Sequence, residues 1–336
     1  MFVYSGALHI HSTFSDGTGT AGEIAEIASD SGVDFIILTD HNTLRAYDEG
    51  YEKFYGKTFL SVGYELNDKD NCNHYLVLDY NKTLSTRLSA KEYTRIIKEE
   101  GGTGILAHPH EKRNALPQYP PYPWVEWDTD DFQGIEIWNH MSVWMENLTA
   151  ENKYNNFVHP LKSLTPPPDE SLRFWDEVNQ KRKVIGIGGL DAHAHKVSVF
   201  GMFMVEVFPY KVLFKSIRTN ILLEEELKRI NTPENIIAVK KTINNAIAAG
   251  RSYIANYYYG DAGGFRFFAI KGDKLYQMGD KIEEPGDVTL KLLIPSSNCL
   301  SKLIRNGVCI DETSSSTPEF KVNLPGVYRV EVSIYN

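Results

Sequence analysis

The chain holds only three cysteines, Cys72, Cys299 and Cys309, in 336 residues. That is too few and too scattered for a disulfide framework or a cysteine-ligated zinc site, so a reducing compartment is expected. No stretch approaches the roughly eighteen uncharged apolar residues of a membrane span. Basic charge is in deficit: 35 Lys and Arg stand against 44 Asp and Glu, a net charge of −9. An extended nucleic-acid surface is therefore not expected, because such faces neutralise many phosphates at once. The chain lacks a repeat of fixed period and a Gly-x4-Gly-Lys-Ser/Thr phosphate loop. Its start, Met-Phe-Val-Tyr-Ser-Gly-Ala-Leu-His, has neither a basic nor a long apolar region. It does not read as a secretory leader, and a cytoplasmic location is the expectation.

What is present is an ordinary globular composition, 42% hydrophobic and 24% charged, which excludes intrinsic disorder. Up to about residue 262, short apolar runs alternate with helical patterns. Ala7–His11, Phe35–Thr39, Phe59–Tyr64, His74–Leu78, Gly104–Ala107, Gly134–Trp138 and Val184–Gly189 read as strands of a buried, mostly parallel sheet. Thr20-Ala-Gly-Glu23 is a capping-box pattern that opens a helix to about Ser31. Lys91–Glu100 forms a second helix, and Thr232-Pro233-Glu234 starts a third that stops at Gly250. Such units suggest an α/β barrel or a doubly wound sheet. Residues 111–176 break the rhythm with Pro117-Gln-Tyr-Pro-Pro-Tyr-Pro-Trp124 and Pro166-Pro-Pro168, either a surface excursion or a pocket wall. From about residue 263 the pattern alternates with period two. Asn306-Gly307 signals a tight hairpin and Pro325-Gly326 a type II turn. Residues 263–336 thus read as a small Ig-like β-sandwich, too small to be comfortable alone and expected to brace the first domain.

Chemistry concentrates at strand ends. His9-Ile-His11 spaces two imidazoles by two residues, which on a strand points both to one face. Asp191-Ala-His193 repeats that spacing after the Val184–Gly189 run. Asp16, His41, Glu65, His74 and His108 lie where other strands begin or end, with His74 awkwardly at the start of its strand. A lone histidine at a strand end is ordinarily a satisfied surface or core residue, but six of the ten fall there beside acidic partners. Imidazole and carboxylate donors together suit manganese, zinc or iron better than calcium.

Leu8-His9-Ile-His11-Ser12, Ser15-Asp16-Gly17, Thr39-Asp40-His41-Asn42, Gly63-Tyr-Glu65, Ala107-His108-Pro109 and Gly189-Leu-Asp191-Ala-His193 resemble the PHP (polymerase and histidinol phosphatase) family, from the N-terminus to about residue 205. Ala248-Ala-Gly250-Arg251-Ser-Tyr253 and the β-sandwich are similar to its carbaryl-hydrolase-type branch. The resemblance implies a distorted (β/α)7 barrel over residues 1–262 with up to three divalent ions. It implies one ion on His9, His11 and Asp191. Glu65 would bridge it to a second on His74 and His108, and Asp16, His41 and His193 would hold a third. Glu65, Asp191 and His193 are then the candidate catalytic residues.

Three carboxylates, three dications and one bridging hydroxide sum to roughly +2, which favours a small anionic, phosphorylated substrate. The expected activity is hydrolysis of a phosphate ester (nucleotide, sugar phosphate or short oligonucleotide) by a metal-bound hydroxide. The alternative is a carboxylic or carbamic ester hydrolase, and a third reading makes the β-sandwich a recognition module. His110, Arg113, His195 and Lys196 are candidate substrate contacts, against the plain reading of solvated loops. Asp40 is expected to orient His41 by a hydrogen bond. Nothing beyond residue type recommends His140 or His159, and nothing activates Cys72 as a nucleophile beside His74.

Overall fold

The computed structural model describes residues 1–113, 119–199 and 203–335. Pro117 and Gln118 of the proline–aromatic stretch lie outside the described residues. The first part of the chain contributes β1 (Phe2–Ile10), β2 (Phe35–Leu38), β3 (Lys53–Tyr55), β4 (Thr58–Val62), β5 (Tyr64–Leu66), β6 (Tyr75–Leu78), β7 (Thr103–Leu106), β8 (Gly134–Asn139) and β9 (Ile185–Gly189). A hairpin, β10 (His195–Val199) and β11 (Phe203–Val207), precedes β12 (Ile217–Leu223) and β13 (Ser252–Asn256).

These strands form two mixed sheets beside that hairpin, one ordered β13-β12-β1-β2-β4-β3 and the other β5-β6-β7-β8-β9. The sheets meet through two isolated bridges, His41 with Glu65 and Ile10 with Ala192, without closing into one continuous ladder. The expectation of a mostly parallel sheet needs correcting. β1-β2-β4 and β7-β8-β9 are parallel, but β6 runs antiparallel to both of its neighbours and β12 runs antiparallel to β1. An apolar run such as β2 or β6 is buried on both faces in either orientation, so its composition does not report direction. Phe35, Ile36, Ile37 and Leu38 are all at most 1% exposed, each contributing about 1.5–3 kcal/mol by burial.

The helices follow their sequence signals. Ala21–Asp30 and Ala90–Glu99 each open with a complete capping box, from Thr20–Glu23 and Ser89–Glu92. Pro233–Ala248 starts on an N-cap from Thr232 with proline in its first turn. No helix among the described residues is long and apolar enough to cross a membrane.

The C-terminal part is all β: β14 (Arg266–Lys271), β15 (Lys274–Gln277), β16 (Val288–Leu293), β17 (Cys299–Arg305), β18 (Val308–Thr313), β19 (Glu319–Val322) and β20 (Tyr328–Ile334). They form a four-stranded sheet, β15-β14-β16-β19, and a three-stranded sheet, β18-β17-β20. Ala269, Leu290, Leu292 and Phe320 of the first share one small core with Leu303 of the second. Asn306 and Gly307 turn between β17 and β18 with φ of 50° and 83°, as the Asn-Gly signal requires. Gly326 differs from its expectation, since it does not take the positive φ of a type II turn. A side chain there would press on Arg305 and Asn306, with contacts at 3.0 Å.

Candidate metal centre

The nine residues singled out above converge where the two sheets meet. Glu65 sits at the middle of β5 and is 1% exposed. Its carboxylate faces five imidazoles: His74 Nδ1 at 2.8 Å, His9 Nε2 at 3.1 Å, His11 Nε2 at 3.2 Å, His41 Nδ1 at 3.4 Å and His108 Nε2 at 3.4 Å. Asp191 Oδ1 lies 3.6 Å from both His9 Nε2 and His11 Nε2 and 3.5 Å from His193 Nδ1. Asp16 lies 3.3 Å from His193, 3.7 Å from His11 and 3.8 Å from His41. The rings of His11 and His193 stack at 4.1 Å.

Local backbone geometry explains how these side chains arrive. His9 is at φ 62° and the β1–β2 register slips between Leu8 and Ile10, while His11 follows the end of β1. A bulge, rather than simple strand alternation, therefore sends both imidazoles to the same carboxylates. Asp191 and His108 also have positive φ, 55° and 29°. Such values are uphill for residues with a Cβ and concentrate at functional sites. His74 ceases to be awkward once β6 is seen to run antiparallel to β5. The start of β6 then lies at the same end of the sheet as the end of β5.

The donor atoms fall into four groups able to hold a cation: His9–His11–Asp191, His11–Asp16–His41–His193, His9–Glu65–His108 and His41–Glu65–His74. Two of these contain the sets expected from sequence, but Glu65, His74 and His108 separate into two groups. The donor set fits divalent ions. Both nitrogens of His11, Nε2 of His74 and Nδ1 of His108 are buried without a hydrogen-bond partner, so their lone pairs or protons go unused by the protein.

Burial opposes protonation of His9, but Glu136, Glu65 and Asp191 outweigh it and hold its pKa well above the usual range. Burial opposes ionisation of Glu65, but His9, His41 and His74 outweigh it and hold the carboxyl well below the usual range. Asp191 is likewise depressed against its burial, by His9, His193 and His108. Burial drives His11 down to about 3, helped by His193. His108 instead rises to about 9, because Glu111 and Glu65 overcome its burial. Asp16, with its side chain 49% exposed, and His41, 26%, mark the open edge of the cluster.

The four expected substrate contacts separate. Arg113 is committed elsewhere, its Nε 2.7 Å and NH2 2.5 Å from Glu111, with its guanidinium over Tyr122. Tyr122 in turn stacks on His74 at 5.1 Å, so this part of the proline–aromatic segment is a wall of the centre. His110 points away from the cluster: its Nδ1 pairs with Ser171 Oγ at 3.1 Å and its ring stacks on Trp127. It lines a separate cavity of about 290 Å³ with Lys112 and Arg173. His195 stacks on His193 at 4.8 Å, and both His195 and Lys196 are exposed at the rim. Asp40 does not orient His41 as expected. It accepts from Ser12 N, Ser12 Oγ and Ser15 Oγ, all at 2.7 Å, and so fixes the loop that carries Asp16.

Two supporting residues were not found from sequence. Glu136 on β8 accepts from His9 Nδ1 at 2.9 Å and from the His108 backbone N–H at 2.8 Å. Tyr210 places its hydroxyl 2.8 Å from the His11 carbonyl and 3.1 Å from that of His193. A charged residue between two isoleucines in a buried run was the available sign for Glu136. Tyr210 gave none.

Comparison with known proteins gives a match between residues 7–99 and the PHP domain family. An uncharacterized protein of Methanocaldococcus jannaschii is 29% identical over 116 residues, which span 31% of this chain and 66% of that relative's length. Among solved structures, a two-domain protein of Bacteroides vulgatus containing a predicted PHP-like metal-dependent phosphoesterase aligns over 99% of this chain and 87% of its own, at 13% identity and a TM-score of 0.47. A predicted metal-dependent phosphoesterase of Bifidobacterium adolescentis aligns over 60% of this chain and 92% of its own, at 16% identity and a TM-score of 0.36. At these scores neither structure carries fold or function across.

Proposed function

We propose, on the match of residues 7–99 to the PHP domain family, that the chain is a metal-dependent hydrolase of phosphate esters. His9, His11, Asp16, His41, Glu65, His74, His108, Asp191 and His193 would hold up to three divalent ions, manganese, zinc or iron. One observation carries the reading: the buried Glu65 carboxylate faces five imidazoles, while buried imidazole nitrogens beside it lack any partner. Burying that many donors without a cation is costly, and ions held in these groups would take up the lone pairs that the protein leaves unused.

Bound divalent ions supply Lewis acidity toward phosphoryl oxygens and acidify water. The protein's own groups set the rest. Glu65 and Asp191 stay ionised as acceptors near neutral pH, because both titrate far below it. An anionic substrate has access at the Asp16–His41 edge, and His195 and Lys196 at the neighbouring rim can meet it. Arg113 and His110 are withdrawn from that role by Glu111 and Ser171.

Hydrolysis of p-nitrophenyl phosphate, a phosphodiester and a p-nitrophenyl carboxylic ester by metal-loaded protein tests the reading, with Asp191→Asn alongside. The expected result is phosphate-ester cleavage reduced at least about 100-fold in the variant. Turnover of the carboxylic ester alone, lost in the variant, transfers the assignment to the ester or carbamate branch. Phosphate cleavage that survives Asp191→Asn overturns the proposed centre.

A further inference from the structure

We infer that Glu136 is a positioning residue for the metal centre: it fixes His9 as the Nδ1–H imidazole and anchors the backbone of His108. The inference rests on the metal reading above and adds a residue that reading did not contain. Glu136 lies in the middle of β8 and is 1% exposed. An ionised carboxylate only accepts hydrogen bonds. With Oε1 at 2.9 Å from His9 Nδ1, that nitrogen is the donor whether the ring is neutral or protonated. Nε2 is turned toward Glu65 Oε2 at 3.1 Å, close enough to hydrogen-bond it when protonated, and toward Asp191 Oδ1 at 3.6 Å. A cation held among these groups would take the place of any proton on Nε2 while Glu136 keeps the proton on Nδ1, so the ring would ligate as the Nδ1–H imidazole.

The second oxygen does different work. Oε2 accepts the His108 backbone N–H at 2.8 Å and Asn139 Nδ2 at 2.9 Å. His9 and His108 are two of the cluster's positive-φ residues, at 62° and 29°. One carboxylate therefore holds the ring of His9 and the backbone of His108, and it joins β8 to the ends of β1 and β7. The neighbouring strand makes room for it. A Cβ on Gly189 would lie 1.8 Å from Glu136 Oε1 and 2.9 Å from His9 Cβ, so only glycine admits the contact. Glutamine keeps the shape but has one acceptor oxygen. It cannot accept from His9 and also from the two N–H donors on the other side.

The test uses the full chain, wild type and Glu136→Gln, stripped with a chelator and titrated with zinc alone against a chromophoric competitor. A second readout is the ¹⁵N spectrum of histidine-labelled, zinc-loaded protein, with His9 assigned from His9→Gln. Expected are about 10- to 100-fold weaker zinc binding in Glu136→Gln and a wild-type His9 protonated on Nδ1. A merely structural role does not move that tautomer signal. Equal zinc affinity in the two proteins, or a wild-type His9 protonated on Nε2, overturns the inference and leaves the metal centre standing. A wild-type chain that takes up no zinc, manganese or iron overturns both. If Glu136→Gln does not fold, the wild-type tautomer alone decides.

Discussion

His140 shows what burial without partners does to one side chain. It is fully buried, neither ring nitrogen has a hydrogen-bond partner, and burial alone pushes it down to about 4. A histidine with a lowered folded pKa favours the folded state while neutral. As pH falls below the unfolded value near 6.5, the unfolded chain gains the proton first and stability drops until about pH 4. Between pH 6.5 and 5 this group costs about 2 kcal/mol, at 1.36 kcal/mol per unit. His140→Phe, set beside Phe208, is expected to remove that loss. Urea unfolding of both proteins at pH 7 and pH 5 checks it, and an unchanged difference between them refutes it. The same scale shows what could be read from the sequence. The nine candidate ligands stand out because imidazole and carboxylate at strand ends have few plain uses in such numbers. Glu136 and Tyr210 act through hydrogen bonds to other residues' atoms, Glu136 to His9 and His108 and Tyr210 to the carbonyls of His11 and His193, and only three-dimensional placement reveals those.

Strands and helices were legible in proportion to how local their signals are. The capping box at Thr20 acts within four residues and its helix starts where it places it, whereas the box at Ser89 escapes the sequence reading and its helix begins at Ala90 rather than Lys91. β12 passed unnoticed because Ile-Arg-Thr-Asn-Ile-Leu-Leu carries three consecutive polar residues, yet all seven are buried. Arg218 is accommodated there by donating to the carbonyls of Phe214, Ser31 and Gly32, partners no local pattern announces. The direction of β6 was equally hidden, and with it the reason His74 reaches Glu65. The end of β9 gives a sharp element-level prediction. Gly189→Ala puts a methyl group 1.8 Å from Glu136 Oε1 and 2.9 Å from His9 Cβ, so the carboxylate or the strand must shift. Overpacking of this kind costs about 1–3 kcal/mol. It is expected to lower zinc uptake as well, since it displaces the carboxylate that holds His9. Unfolding curves and zinc titration of Gly189→Ala measure both, and a variant that keeps wild-type stability contradicts the packing argument.

At the scale of the whole molecule, the C-terminal sheets meet the rest of the chain through polar contacts. Lys183 Nζ donates to the carbonyls of Ala249 at 2.7 Å and Gly279 at 2.9 Å, and Arg251 pairs with Asp280 at 2.9 Å. The deepest contact joins β20 to the Asp169–Asn179 helix: Arg329 Nε and NH2 reach the two oxygens of Asp176 at 2.7 and 2.8 Å. The β17–β18 turn lies against the same carboxylate, with the position of a Gly307 Cβ 3.4 Å from it. We propose that these contacts make the region after residue 262 a brace on the part that carries the candidate metal centre. A bidentate guanidinium–carboxylate pair fixes orientation as well as distance. Its side chains are 14% and 7% exposed, so removing one partner strands a charge away from water. Arg329→Met is therefore expected to cost about 3 kcal/mol, whereas Arg329→Met with Asp176→Leu recovers most of it, because the one carboxylate then left without Arg329, Glu331, is 44% exposed and solvated. Calorimetry distinguishes the consequences. If the joint is a brace, wild type unfolds in one transition and Arg329→Met splits it, with the C-terminal sheets melting first. A single transition at the wild-type temperature in Arg329→Met means that the pair does not hold the two parts together.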